Sequence, residues 1–243
     1  MPTLTRRGLC ASLLAVPAAA QQKPGSKLKI VVVGAHPDDP ESGCGGTMAR
    51  YASLGHEVVA LYLTRGETGI AGKGPQETAA IRTREAEKAC KILGARPLFA
   101  GQVNGSTEVN RARYEQFYAI LAPEEPDIVF AHWPIDTHPD HRVASLLAYQ
   151  AWHTAKKKFQ LYYFEVMSGA QSENFAPTTY IDITSVGDKK REACYAHQSQ
   201  DPDSFWVYHD AMQKFRGFEC RAKQAEAFVR YARTGNPELP LVD

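Results

Sequence analysis

Residues 28–33 read Leu-Lys-Ile-Val-Val-Val and stop at Gly34, and no other stretch constrains the fold of this chain as much. Its β-branched residues follow one another without polar alternation, the pattern of a parallel strand buried on both faces. The rest of the chain repeats the demand. Residues 47–54 carry helical apolar spacing and stop at Gly55, 57–63 read as a second strand, and 76–93 as a helix closed by Gly94. A strand at 97–100, a helix at 110–121 and a strand at 128–131 follow. The helix after His138-Pro139 runs to the lysines at 156–158, whose charges suit a solvated helix C-terminus. Residues 161–166 read as another strand, 179–183 as an edge strand and 169–177 as a mobile loop. The tail from 189 onward reads as helix in two or three pieces, with 222–233 the clearest. This rhythm is that of βαβ units, so the expected fold is α/β: a Rossmann-like, mostly parallel sheet flanked by helices, in a single domain.

Residues 1–20 stand apart from that pattern. Arg6-Arg7 precede an apolar run at 9–16 and then Pro17-Ala18-Ala19-Ala20, which reads as a secretory signal peptide ahead of a domain at 21–243. Paired arginines before modest hydrophobicity favour the twin-arginine route, so the protein is expected to be exported, periplasmic or secreted. The run is far shorter than the roughly 20 apolar residues of a membrane span, and no other segment approaches that length. Loss of Arg6 and Arg7 takes the formal charge from +1 to −1, and neither value argues for nucleic acid or an anionic membrane as partner. Cys44, Cys90, Cys194 and Cys220 show neither close pairing nor zinc-finger spacing, and read mostly as buried thiols with room for one bridge. Nothing in the sequence sets the oligomeric state; a homo-oligomer is compatible with it.

The chemistry is concentrated at two strand ends. Ala35-His36-Pro37-Asp38-Asp39-Pro40-Glu41 follows the first strand, and Asp136-Thr137-His138-Pro139-Asp140-His141 follows the strand at 128–131. Ligands of open parallel sheets sit outside the carboxyl ends of strands where strand order reverses, so the fold can bring these segments together. Either segment alone is ordinary turn and helix-cap composition. As a pair they read as two halves of one metal site. A catalytic zinc takes three protein ligands and leaves a position for water, and His36, Asp39 and His141 supply that set. Another divalent metal also suits two imidazoles and a carboxylate. Asp38 then stands beside the metal without binding it, placed to take a proton from a water whose pKa falls from 15.7 to about 7. His138 could stabilise an oxyanion or protonate a leaving amine, with Asp140 holding it as imidazolium. Gly43-Cys44-Gly45-Gly46 does not follow the dinucleotide pattern G-x-G-x-x-G and instead reads as close packing of the first helix on the sheet.

Gly34 to Glu41, Gly43-Cys44-Gly45-Gly46-Thr47, Thr64-Arg65-Gly66-Glu67 and His138-Pro139-Asp140-His141 together resemble the LmbE-like, or PIG-L, family of zinc-dependent de-N-acetylases. Residues 82–93 and 195–200 extend the likeness over nearly all of the mature chain. The resemblance implies hydrolysis of an N-acetylglucosaminyl-type amide, with the ligands, base and acid already assigned. It also implies that Arg65 meets the substrate. Asn104-Gly105 departs from the family's Asp-Gly turn: Asn104 keeps a hydrogen-bonding contact to substrate but not the charge. Arg82 and Glu85 read as an i,i+3 helix pair, and His197 either as support for the site or as a structural histidine. The expected ligand is a small-molecule or oligosaccharide substrate. Two alternatives stand beside it: an amidohydrolase acting on a non-sugar amide such as a thiol conjugate, and a non-catalytic carbohydrate-binding protein on the same scaffold.

Overall fold

The structure, a computed structural model, describes residues 27–231 except residue 157. The expected leader at 1–20 and the end of the expected helix at 222–233 lie outside the described residues. At the centre is β1 (Lys29–Gly34), flanked by β2 (Glu57–Tyr62) and β4 (Ile128–His132), with β3 (Arg96–Phe99) beyond β2 and β5 (Gln160–Phe164) beyond β4. These five are parallel, with Val31 in register with both Val59 and Val129. β7 (Ala225–Arg230) adds antiparallel to β5, and β6 (Thr179–Asp182) adds antiparallel to β7 at the edge.

Alternate residues of the central strands enter different cores. Ile30, Val32, Ala60, Phe130 and Phe164 face α1 (Asp39–Ser53), α2 (Pro75–Leu93) and α5 (Gly187–Cys194). Val31, Val33, Leu61, Val129 and Leu161 face α3 (Arg111–Leu121) and α4 (Pro139–Thr154). Both faces are therefore covered, as the apolar run at β1 requires. Because the chain leaves β1 toward β2 and β3 and then returns to β4 on the other side, the sheet reverses its winding between β1 and β4. Their carboxyl ends, carrying His36 and His132, open onto that crevice.

Two elements differ from expectation. α1 begins at Asp39, inside the motif, with Pro40 and Glu41 in its first turn. Pro lacks an N–H and suits that position, and the acid meets the positive end of the helix dipole. The glycines that weaken helical periodicity in the sequence are here inside the helix because the sheet is close: a Cβ added at Gly43 would run into the Phe164 ring, and one at Gly46 into Ile183. The second difference is the tail, where residues 225–230 are a strand and not the helix that Ala and Glu favour. Pairing with β5 and β6 outweighs that propensity. α6 (Pro202–Cys220) is the long helix of this region.

The four cysteines among the described residues are free, and Cys44, Cys90 and Cys194 are buried. Residues 169–177 contain no helix or strand, but their beginning is tied to the loop after β4. Thr137 donates its backbone N–H to Gln171, Glu173 to Ile135, and Ser172 Oγ to Asp136 Oδ2 at 3.1 Å. No helix among the described residues is long and apolar enough to cross a membrane.

The fit of α1 on the sheet predicts that Gly43→Ala lowers stability by about 1–3 kcal/mol, the usual cost of overpacking a close contact. Urea unfolding monitored by circular dichroism measures it; an unchanged midpoint would show that Phe164 moves aside freely.

Candidate metal centre and active site

Backbone geometry sets the first half of the site. Asp38 has φ +119°, a conformation that non-glycine residues adopt at a cost of about 1–3 kcal/mol. Arg82 from α2 holds it there, donating through Nη2 to Pro37 O at 2.5 Å and to Asp38 Oδ2 at 2.9 Å. The turn so fixed places Asp39 as the first residue of α1, where its Oδ2 accepts the His36 backbone N–H at 2.7 Å.

Asp39 then meets the second half. Its Oδ2 lies 3.1 Å from His132 Nε2, and its Oδ1 lies 3.4 Å from His141 Nε2. His132 and His141 stack with ring centroids 4.0 Å apart, and His138 stacks on His141 at 4.6 Å. His36 reaches across to Asp140 Oδ2, 3.1 Å from its Nε2. Asp140 also accepts the Gly105 N–H at 2.8 Å and the Thr107 hydroxyl at 2.6 Å, while Asp136 Oδ1 lies 3.1 Å from His141 Nδ1.

Burial opposes charge on all of these groups, and the hydrogen bonds decide the outcome. His36 is raised to about 9: burial pulls it down, but the bonds to Asp140 and Asp39 prevail. His141 is raised to about 10 in the same way by Asp39 and Asp136. Asp39 is held well below the usual carboxylate range by His141 and His132 in spite of burial. Burial lowers His132 to about 4, with His141 adding to it, and burial also lowers His138, together with the charges of His36 and His141. Asp38 goes the other way: burial raises it more than Arg82 lowers it.

Two triplets, His36–His138–His141 and Asp39–His132–His141, each bring their possible ligand atoms within 4.8 Å of one another, and neither is by itself the expected set of His36, Asp39 and His141. His141 belongs to both. The residues expected as ligands, His36, Asp39 and His141, are thus drawn from one contiguous cluster. Imidazoles with a single carboxylate, buried and oriented by outer carboxylates, fit zinc or a similar divalent ion.

His36, Asp39 and His141 line a cleft of about 370 Å³ together with Asp38, Arg82, Asn104, His138, Phe205 and His209. Asn104 sits at its edge, its Nδ2 donating to Thr68 Oγ1 at 2.6 Å. Arg65 is not among the lining residues: its guanidinium lies over the Phe99 ring at 4.1 Å and donates to Thr83 Oγ1. The expected Arg82–Glu85 pair does not form, since Arg82 turns to Asp38 and Glu85 accepts the Ser199 N–H and hydroxyl. Asp140 likewise spends its carboxylate on His36; what it gives His138 is its backbone N–H, which donates to Nδ1 at 3.2 Å. His197 is fully buried behind α1, 3.3 Å from Glu41 Oε1.

Sequence reasoning placed Arg82 only in a helix pair with Glu85, and missed His132 and His209. Arg82 shares the buried stripe of α2 with Thr78, Ala86, Ala89 and Leu93, so a cation on an apolar stripe was the available signal. His132 ends β4 at the switch point, and that position was its signal.

The family model described as PIG-L, GlcNAc-PI de-N-acetylase, matches residues 31–152. The chain is 30% identical to diacetylchitobiose deacetylase of Thermococcus kodakarensis, over 73% of this chain and 72% of that protein. It is 28% identical to 4-oxalmesaconate hydratase of Pseudomonas putida, over 79% and 80% of the two chains. Among solved structures, N,N'-diacetylchitobiose deacetylase from Pyrococcus horikoshii superposes with a TM-score of 0.75 at 25% identity, covering 83% of each chain.

The raised pKa values of His36 and His141, about 9 and about 10, mean that both are protonated at pH 7 without metal. A ligating imidazole must be neutral, so zinc binding should release about two protons at pH 7 and tighten as pH rises toward those values. Calorimetry of zinc binding in buffers of different ionisation heat counts the protons; buffer-independent heats would remove these two histidines from the ligand set.

Proposed function

Since this chain belongs to the PIG-L family, we propose that it is a metal-dependent hydrolase removing an acetyl group from an N-acetylated amino sugar of the N-acetylglucosaminyl type. The observation that carries the reading is the strained Asp38, clamped by Arg82 at the rim of a buried His–Asp cluster. Strain of this kind persists where surrounding contacts hold a side chain in a working position.

His36, Asp39 and His141 would hold the ion, and zinc is the metal we propose. A divalent ion there would polarise an acyl carbonyl and acidify a water molecule. Asp38 supplies the base: burial raises its pKa, which favours taking up a proton from the attacking water, and Arg82 fixes the carboxylate by its Oδ2. His138 supplies the stabilising donor. Its Nδ1 accepts the Asp140 N–H and burial keeps the ring neutral, so its proton is on Nε2, ready to donate to the carbonyl oxygen as negative charge grows there. The deacetylase names of relatives that span most of this chain support the acetylated sugar as substrate. The leader at 1–20 supports an exported protein, acting on an envelope or scavenged glycan, small molecule or oligosaccharide.

Acetate release from N,N'-diacetylchitobiose by the zinc-loaded mature protein tests the reading. Asp38→Asn is expected to lower kcat by about 10²–10⁴-fold while zinc content stays unchanged, the usual worth of a general base. A protein that releases acid from a non-sugar amide, or hydrates an unsaturated acid, and leaves every N-acetylated sugar intact would sink the proposed substrate class.

A further inference from the structure

The polarity of α6 is reversed. Its exposed side carries Val207, Tyr208, Phe215 and Phe218, the last 82% exposed, while its buried side carries His209, Gln213 and Arg216. A helix docked for stability alone would turn the apolar stripe inward. Arg216 has an evident partner, since its Nε and Nη2 donate to the two carboxylate oxygens of Glu165 at 2.7 and 2.9 Å. Gln213 donates through Nε2 to Asp210.

His209 has no such partner. Its residue is 3% exposed, no described residue hydrogen-bonds to its ring, and the nearest aromatic ring, Phe205, is 6.2 Å away between centroids. The ring stands in the wall of the active cleft, and behind it lies a second space of about 10 Å³ bordered by Lys190, Glu226 and Arg216. Burial, with Lys190 nearby, lowers its pKa to about 3, so the imidazole is neutral with one donor and one acceptor. Its ring nitrogens are not shut off from the cleft, so water or a ligand group there supplies the hydrogen bonds that the protein does not.

We propose that His209 is a substrate-binding residue of the cleft, exchanging a hydrogen bond with an uncharged hydroxyl or amide group of the bound ligand. The inference rests on the amino-sugar reading of the cleft and adds to it a contact from α6. It assigns His209 to recognition; Asp38 remains the base and His138 the donor to the carbonyl oxygen.

The test compares the wild-type chain with His209→Phe and His209→Asn. Three quantities are measured: the Kd of N,N'-diacetylchitobiose on the metal-free protein by calorimetry, the Tm without ligand, and kcat and KM for acetate release by the zinc-loaded protein. The Phe variant is expected to raise Kd and KM by about tenfold with kcat within about threefold, as for loss of one ligand hydrogen bond, and Asn to recover part of the affinity. The Tm of the Phe variant should not fall, because the ring it removes has no hydrogen-bond partner among the described residues and Phe keeps its packing. An unchanged Kd in the Phe variant overturns the assignment, as does a lowered Tm in both variants with no recovery by Asn, which is the mark of a structural role. A wild-type chain that releases acetate while the Phe variant binds normally sinks His209 alone. A wild-type chain that binds no amino sugar sinks the His209 contact together with the amino-sugar reading.

Discussion

The carboxylate of Asp39 is the interaction on which the rest of the site depends. It accepts the backbone N–H of His36, meets His132 at the end of β4 and meets His141 on the first turn of α4. One side chain thereby ties the turn after β1 to the two elements on the other side of the switch point. A buried carboxylate is costly to desolvate, and it stays ionised here because imidazoles surround it. The same condition explains why Asp136 and Asp140 are present: each holds one of the two raised histidines and is itself hydrogen-bonded by backbone N–H or hydroxyl groups. Three carboxylates thus face two protonated imidazoles, and a divalent ion entering the cluster would replace protons already held there.

The parts of this arrangement that are legible in the sequence are those encoded locally. The unbroken apolar run of β1 dictates a strand covered on both faces, and the His–Asp segments follow strands whose ends converge in a parallel sheet. The parts that are not legible depend on partners far along the chain. Arg82 looks like any helix-surface arginine until α2 is docked; its partner, Asp38, is 44 residues away. Asp140 follows His138 closely enough to suggest a pair, yet the helix start turns its carboxylate toward His36, 104 residues earlier. In β7 the residues Ala225 to Arg230 carry helix-forming composition, and only the vacant edge of β5 makes them a strand.

That last strand bears on the site through α1. Glu226 on β7 accepts the backbone N–H groups of Gly46 and Thr47 at 2.9 and 2.7 Å and pairs with buried Lys190 of α5 at 2.7 Å. α1 is thus held at its middle by the C-terminal strand and at its start by the motif turn, with Gly43 and Gly46 allowing it to lie against the sheet. A helix with four glycines and prolines in its first eight residues has little intrinsic stability, and its position must come from these contacts. The motif turn is therefore only as rigid as α5, α6 and β7 make it. This accounts for the polar inner face of that region. Lys190, Glu226, Glu165 and Arg216 form matched buried pairs that fix α5, α6 and β7 against α1 and β5, whereas apolar residues of similar size would fill the same space without specifying its orientation.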